Sequence, residues 1–210
     1  MIRVVLIDDH TVVRRGIRQI LSDSDNIEVV GEASNAGEMM QTLRAVACDV
    51  LLLDISMPGK NGIDALKSVK KEWPKLHVLM LSMYPEDQFA LRALRAGAAG
   101  YLTKHSPPEK VIEAVHRLAS GKKYITPETA ESLAGVLDVN PDQPPHELLS
   151  DREFQTLRFI ASGKTLSEVA ETLCISPKTV SVYRARLLEK MKLKNNSELT
   201  HYAIKAGLID

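Results

Sequence analysis

Val4-Val5-Leu6-Ile7-Asp8-Asp9 and Val50-Leu51-Leu52-Leu53-Asp54 decide how this chain reads. Each is an unbroken apolar run that ends on acid. Continuous rather than alternating hydrophobicity marks strands buried on both faces, as in a parallel sheet covered by helices. Parallel strands deliver the residues at their C-terminal ends to one edge, so Asp8, Asp9 and Asp54 are expected to converge there. Carboxylates gathered in a crevice are costly unless a cation sits among them. The two stretches therefore point to a bound divalent metal and a reactive aspartate.

Outward from these runs, the same grammar repeats. Strand-like segments lie at about 3–8, 27–31, 49–53, 77–81 and 99–102, and segments of helical period at about 10–21, 36–46, 62–72, 86–96 and 107–120. Pro58-Gly59, Trp73-Pro74, Gly97 and Pro107-Pro108 punctuate them. Five βα units in a row predict an α/β, flavodoxin-like doubly wound parallel sheet over 1–120. Its crevice should lie beyond the C-terminal ends of the central strands. Residues 121–147 read as a linker with one helix near 127–138, then a proline-rich break from Asn140 to Pro145. From 148 to 210 the pattern is all helical and short. Ser150-Asp151-Arg152-Glu153 has the form of a capping box, and Ser176-Pro177 of an N-cap followed by proline at the first helical position.

Charge is balanced over the whole chain, 27 basic against 27 acidic, but not along it. Residues 148–210 carry 10 basic and 7 acidic residues, and 178–194 hold six Lys/Arg opposed by Glu189 alone. Such a helix is a candidate phosphate-binding face. Cys48 and Cys174, the two cysteines, both lie among apolar neighbours and read as small core residues of a reduced protein. With no signal-peptide pattern and no apolar run of membrane-spanning length, the expected location is cytoplasmic.

The acidic residues fit phosphoryl transfer. Asp54 would be the nucleophile, with Asp9, and Asp8 through water, holding Mg²⁺. Lys104, just after the fifth strand, would clamp the phosphoryl oxygens, and Ser82, at the end of the fourth, would offer a hydroxyl. Singly, each has a plainer reading: an Asp caps a helix, a Ser sits in a turn, a Lys is solvated, Tyr101 is core. Joint placement at the ends of strands one, three, four and five carries the case.

Residues 1–120 resemble the receiver domain of two-component response regulators. The likeness rests on Leu6-Ile7-Asp8-Asp9-His10, Leu53-Asp54-Ile55-Ser56-Met57-Pro58-Gly59-Lys60-Asn61-Gly62, Leu81-Ser82 and the run from Ala96 to Lys104. The resemblance implies that Asp54 is the phospho-acceptor and that the Ser56 backbone carbonyl joins Asp8, Asp9 and Asp54 around Mg²⁺. It makes Ser82 and Tyr101 a switch pair, Ser82 moving to the phosphoryl group and Tyr101 turning inward behind it. Pro58 and Gly62 would shape the loop after the acceptor.

Residues 148–209 resemble the LuxR-type helix-turn-helix domain of the NarL/FixJ class. Here the carriers are the runs Leu149–Glu153 and Ala161–Thr165, then Glu168-Val169-Ala170, Ile175–Val180 and Leu187–Met191. By that likeness the helix over 176–191 enters the major groove of double-stranded DNA. Ser181, Val182 and Ala185 would face bases, and Lys178, Thr179, Tyr183, Arg184 and Arg186 mostly the backbone. The expectation is a phosphorylation-controlled transcription factor: a sensor histidine kinase as donor, a homodimer on activation, no membrane. One rival is an aspartyl-phosphate enzyme of the same sheet type. Such enzymes commonly carry Asp-x-Asp after the first strand, whereas Ile55-Ser56 follows Asp54. The other is a regulator controlled by a ligand without phosphorylation.

Overall fold

The computed structural model describes residues 1–57, 61–84, 86–126, 129–130 and 144–209, with the side chains of 87 and 88 outside that description. It divides into two compact units, Met1–Asp138 and Val139–Asp210.

In the first unit β1 (Ile2–Ile7), β2 (Ile27–Ala33), β3 (Val50–Asp54), β4 (His77–Ser82) and β5 (Gly100–Thr103) form one parallel sheet in the order β2-β1-β3-β4-β5. The order reverses beside β1, which opens the crevice between the ends of β1 and β3. Between the strands run α1 (Thr11–Ser22), α2 (Ala36–Ala45), α3 (Gly62–Glu72) and α4 (Glu86–Arg95), and α5 (Pro108–Ala119) closes the unit. Each boundary lies within two residues of the sequence expectation. Every residue of the runs Val4–Ile7 and Val50–Asp54 is buried. One face of the sheet (Val4, Leu6, Val50, Leu52, Leu79, Leu81) packs on Ile17 and Leu21 of α1 and Val111, Val115 and Leu118 of α5. Burying each such side chain contributes roughly 1.5–3 kcal/mol. That packing holds the strand ends, and the acids on them, in register: Leu53 pairs with Met80 and Asp54 with Leu81.

After α5 the chain makes a parallel bridge from Tyr124 to Gly100, then turns back to α4. Thr126 and Thr129 both donate to one Glu86 carboxylate oxygen, at 2.6 and 3.1 Å. Apart from helical Thr129 and Ala130, the helix expected near 127–138 lies outside the described residues, as does most of the proline-rich break.

The second unit opens with a 3-10 turn, Pro145–Leu148, followed by α6 (Asp151–Ala161), α7 (Leu166–Leu173), α8 (Pro177–Met191) and α9 (Asn196–Lys205). The capping box at α6 is present on both sides: Ser150 N donates to Glu153 Oε2 at 2.8 Å and Glu153 N to Ser150 Oγ at 3.4 Å. A second such box, Thr165 with Glu168, opens α7. Val180, Leu187, Leu188 and Met191 are buried and form the expected apolar stripe of α8. Among the described residues no helix is long and apolar enough to cross a membrane.

Cys174 departs from the sequence reading. It is exposed, not core, although Leu173 and Ile175 flank it. It is the C-cap of α7 in the left-handed region (φ 51°), where the chain reverses toward α8 and turns the side chain outward. Cys48 is half-buried, and burial pushes its thiol up to about 11.

Candidate functional site

The ends of β1, β3, β4 and β5 meet in one acidic crevice. Asp8 and Asp54 are fully buried, and Asp9 is half-exposed at the rim. Lys104, whose side chain is 2% exposed, reaches back from beyond β5. Its Nζ lies 2.8 Å from Asp8 Oδ2 and 2.8 Å from Asp54 Oδ2. The lysine is aimed by the chain itself, since Lys104 N donates to the Ser82 carbonyl at 2.7 Å.

One ammonium does not offset this much carboxylate. Burial pushes Asp54 up to about 6 against the opposing pull of Lys104, with Asp8 adding repulsion. Asp8 and Asp54 are oriented by local donors. His10 N donates to Asp8 Oδ1 at 2.8 Å, Ser56 N to Asp54 Oδ1 at 3.2 Å, and Arg14 holds the Asp8 carbonyl. Neither Asp8 nor Asp9 caps α1. His10 takes the N-cap position and makes no side-chain cap bond.

The ligand atoms of Asp8, Asp9, His10 and Asp54 lie within 4.8 Å of one another. An oxygen-rich, negatively charged, half-solvated donor set suits a hard divalent cation such as Mg²⁺, which keeps several waters. His10 was not assigned from sequence. Its Nδ1 lies 2.7 Å from Asp9 Oδ1, so in this structure it orients the carboxylate at the rim.

The loop after the acceptor is built by close approach. A Cβ on Gly62 would fall 2.0 Å from the Asp54 carbonyl oxygen, so no side chain fits there. Asn61, fully buried, caps α3 by accepting from Ile63 N at 2.8 Å. Sequence reasoning missed Asn61, although Asn-Gly at a helix start is a capping signal. Pro58, also expected to shape this loop, lies outside the described residues.

Ser82 and Tyr101 meet through Tyr84. Ser82 Oγ accepts from Tyr84 N at 3.0 Å, and Tyr101 Oη donates to the Tyr84 carbonyl at 2.8 Å. The expectation had Tyr101 turning inward after modification. Here the ring is already inward, 3% exposed, because its hydroxyl finds that carbonyl under the β4–α4 connection.

In the second unit Lys178, Ser181, Val182, Ala185 and Arg186 are exposed along α8, while Thr179, Tyr183 and Arg184 are half-buried. Thr179 Oγ1 shares a hydrogen bond with Ser176 Oγ at 2.8 Å at the helix start. Arg184 is less free than its sequence position implies, since its Nε donates to Asn196 Oδ1 at 2.7 Å. The face is anchored from behind by Lys190, 2.7 Å from the buried Glu153 carboxylate. Burial works to raise Glu153, but Lys190 and Ser150 outweigh it and hold the carboxyl below its ordinary range.

Fold and site together define a class: an acidic-pocket receiver sheet joined to a helix-turn-helix unit. Comparison with known proteins agrees. Residues 4–116 match the response regulator receiver domain, and residues 147–203 match the bacterial regulatory proteins, luxR family. The chain is 40% identical over 210 residues to response regulator UvrY of Escherichia coli (strain K12), covering 99% of this chain and 96% of that protein. It is 37% identical over 212 residues to response regulator GacA of Pseudomonas viridiflava, covering 100% of this chain and 99% of that one. Among solved structures it resembles RcsB from Salmonella enterica serovar Typhimurium bound to promoter rprA with a phosphomimetic, at TM-score 0.66 and 27% identity, covering 96% of this chain and 98% of that one. The chain belongs to the response regulators of the NarL/FixJ class, transcription factors with a receiver and a LuxR-type DNA-binding domain.

Proposed function

We propose that Asp54 accepts a phosphoryl group from a sensor histidine kinase and that this controls dimerisation and sequence-specific DNA binding by residues 148–210. The observation that carries the reading is the buried Asp54 carboxylate bridged to Asp8 by Lys104 at 2.8 Å on each side. A carboxylate oxygen of Asp54 attacks phosphorus, and the P–N bond to the donor histidine breaks. Lys104 then exchanges a carboxylate partner for a phosphoryl oxygen. Asp8, Asp9, Asp54 and the Ser56 carbonyl would hold Mg²⁺, which supplies neutralisation of the gathering negative charge. Ser82, released from Tyr84 N, donates its hydroxyl to the phosphoryl group, and the Tyr84–Tyr101 pair responds. This is a local charge event acting on a two-state element.

In the second unit, Ser181, Val182 and Ala185 would approach bases, with Lys178, Thr179, Tyr183, Arg184 and Arg186 on phosphates. The base-facing side chains are small, which favours readout through water and DNA shape. The chain acts as a cytoplasmic regulator and not as a turnover enzyme. The test is DNA affinity and oligomer size with Mg²⁺, with and without beryllofluoride. Tighter DNA binding and a larger species on activation support the reading. Equal values with Asp54 fully modified would break its coupling to DNA, and steady turnover of a simple phosphate ester would favour the enzyme.

A further inference from the structure

The turn that carries Asp8 and Asp9 begins beyond the last residue of β1. One backbone bond ties it to β2, from Asp8 N to the Ala33 carbonyl at 3.1 Å. Another tie is a side chain. Arg14, near the start of α1, donates from Nη1 to the Asp8 carbonyl at 2.5 Å and from Nε to Glu32 Oε2 at 3.1 Å. The Arg14 side chain is 17% exposed and that of Glu32 25%, so the bridge is largely shielded from water.

Glu32 faces Arg14 because β2 carries an extra residue. Pairing with β1 runs from Val4 with Val29 to Val5 with Gly31, which leaves Val30 unmatched. Ile27 and Val29 pack with Ile17 and Leu21 on the α1 side of the sheet. In a regular strand Gly31 would follow them to that side and Glu32 would point to the other. Instead a Cβ on Gly31 would fall 2.5 Å from Thr42 of α2, so Gly31 faces α2 and Glu32 turns to α1. Bulges beside functional sites re-aim side chains in this way. Arg18, one turn further along α1, meets the other Glu32 oxygen, Oε1, at 2.5 Å.

The Asp8 carbonyl and the Asp9 amide belong to one planar peptide unit. Holding that carbonyl fixes the plane between the two acids, and with it the point at which the Asp9 carboxylate meets the crevice. By charge alone a guanidinium here would oppose a metal. Glu32 sets an opposite charge directly against it, so what Arg14 delivers to the turn is chiefly a directed hydrogen bond.

We propose that Arg14 is a positioning residue of the acidic crevice: aimed by Glu32, it fixes the Asp8–Asp9 peptide and thereby sets the affinity for the divalent cation. It rests on the reading of the crevice as a Mg²⁺ site. Partners that orient metal-binding groups from behind typically change metal affinity by about 10- to 100-fold when removed.

The test uses the full chain with Mn²⁺ as a paramagnetic probe, its binding followed by loss of the free-ion EPR signal and its displacement by Mg²⁺. Arg14→Met should weaken Mn²⁺ by about 10-fold or more. Arg18 still pairs Glu32 in that variant, so no acid is left alone, and urea unfolding in chelator checks the fold. Arg14→Lys, which restores a donor without the planar fork, should recover part of the affinity. Tighter Mn²⁺ binding by Arg14→Met would mean that the residue acts through charge and overturns the proposal. Unchanged affinity with lowered stability in chelator would make Arg14 a brace between α1 and β2 and overturns it as well, as does Arg14→Lys binding no better than Arg14→Met. Asp9→Asn reports the underlying reading separately: wild type should bind Mn²⁺ and Asp9→Asn should lose it. Equal binding by those two would remove the metal from the crevice and take the proposal with it.

Discussion

Lys104 Nζ sits 2.8 Å from Asp54 Oδ2 and the same distance from Asp8 Oδ2, so a single ammonium spans the two buried carboxylates of the crevice. It occupies the side from which a phosphoryl group would be gripped, and it is the main counterweight to the burial of Asp54. Removing it leaves two buried acids facing each other. Lys104→Met should therefore destabilise the receiver by about 3–5 kcal/mol at neutral pH. Millimolar Mg²⁺ should recover much of that loss. Urea unfolding with and without Mg²⁺ checks both statements, and a variant as stable as wild type in chelator would contradict them.

Asp54→Asn should abolish phosphoryl uptake from a small phosphodonor while leaving the fold intact. Intact-mass measurement of the acyl-phosphate decides it. Uptake by this variant would remove Asp54 as the acceptor.

The pH dependence has a definite sign. Asp54 is raised to about 6 in the folded chain from an ordinary 3.8. Between those values the native state binds more protons than the unfolded state. The group's contribution thus favours folding at low pH and is lost as pH rises from about 4 to about 6. In metal-free buffer, wild type should lose stability relative to Asp54→Asn by on the order of 3 kcal/mol across that window. Mg²⁺ should flatten the difference. Paired denaturation curves at pH 4 and pH 7 give the comparison.

Glu86 pins the chain that leaves the receiver, taking hydrogen bonds from Thr126 and Thr129 on one oxygen. Hydrogen bonds to charged groups contribute about 1.5–3 kcal/mol each. Glu86→Ala should open this turn, and the Ala130 amide, which donates to the Thr126 carbonyl at 2.9 Å, should exchange about 10- to 100-fold faster. Unaltered protection at Ala130 would show that the carboxylate does not hold the turn.

The strands and helices were legible because each apolar run is long, continuous and bounded by turn chemistry, and because parallel strands must bring Asp8, Asp9 and Asp54 to one edge. The C-terminal helices were legible from their caps: Ser150 with Glu153, and Ser176 before Pro177. Other features depend on the chain's return path. Cys174 has apolar neighbours yet faces solvent, since a left-handed cap turns it out. Tyr101 needs no phosphoryl group to be buried, since the Tyr84 carbonyl already pairs with its hydroxyl. Arg184 reads as a free phosphate contact until α9 brings Asn196 to it.

Gly62 carries no side chain because a Cβ there would fall 2.0 Å from the Asp54 carbonyl oxygen. β3 and the start of α3 therefore meet backbone to backbone, so a displacement of the Asp54 main chain is passed to α3 with no side chain between them to absorb it.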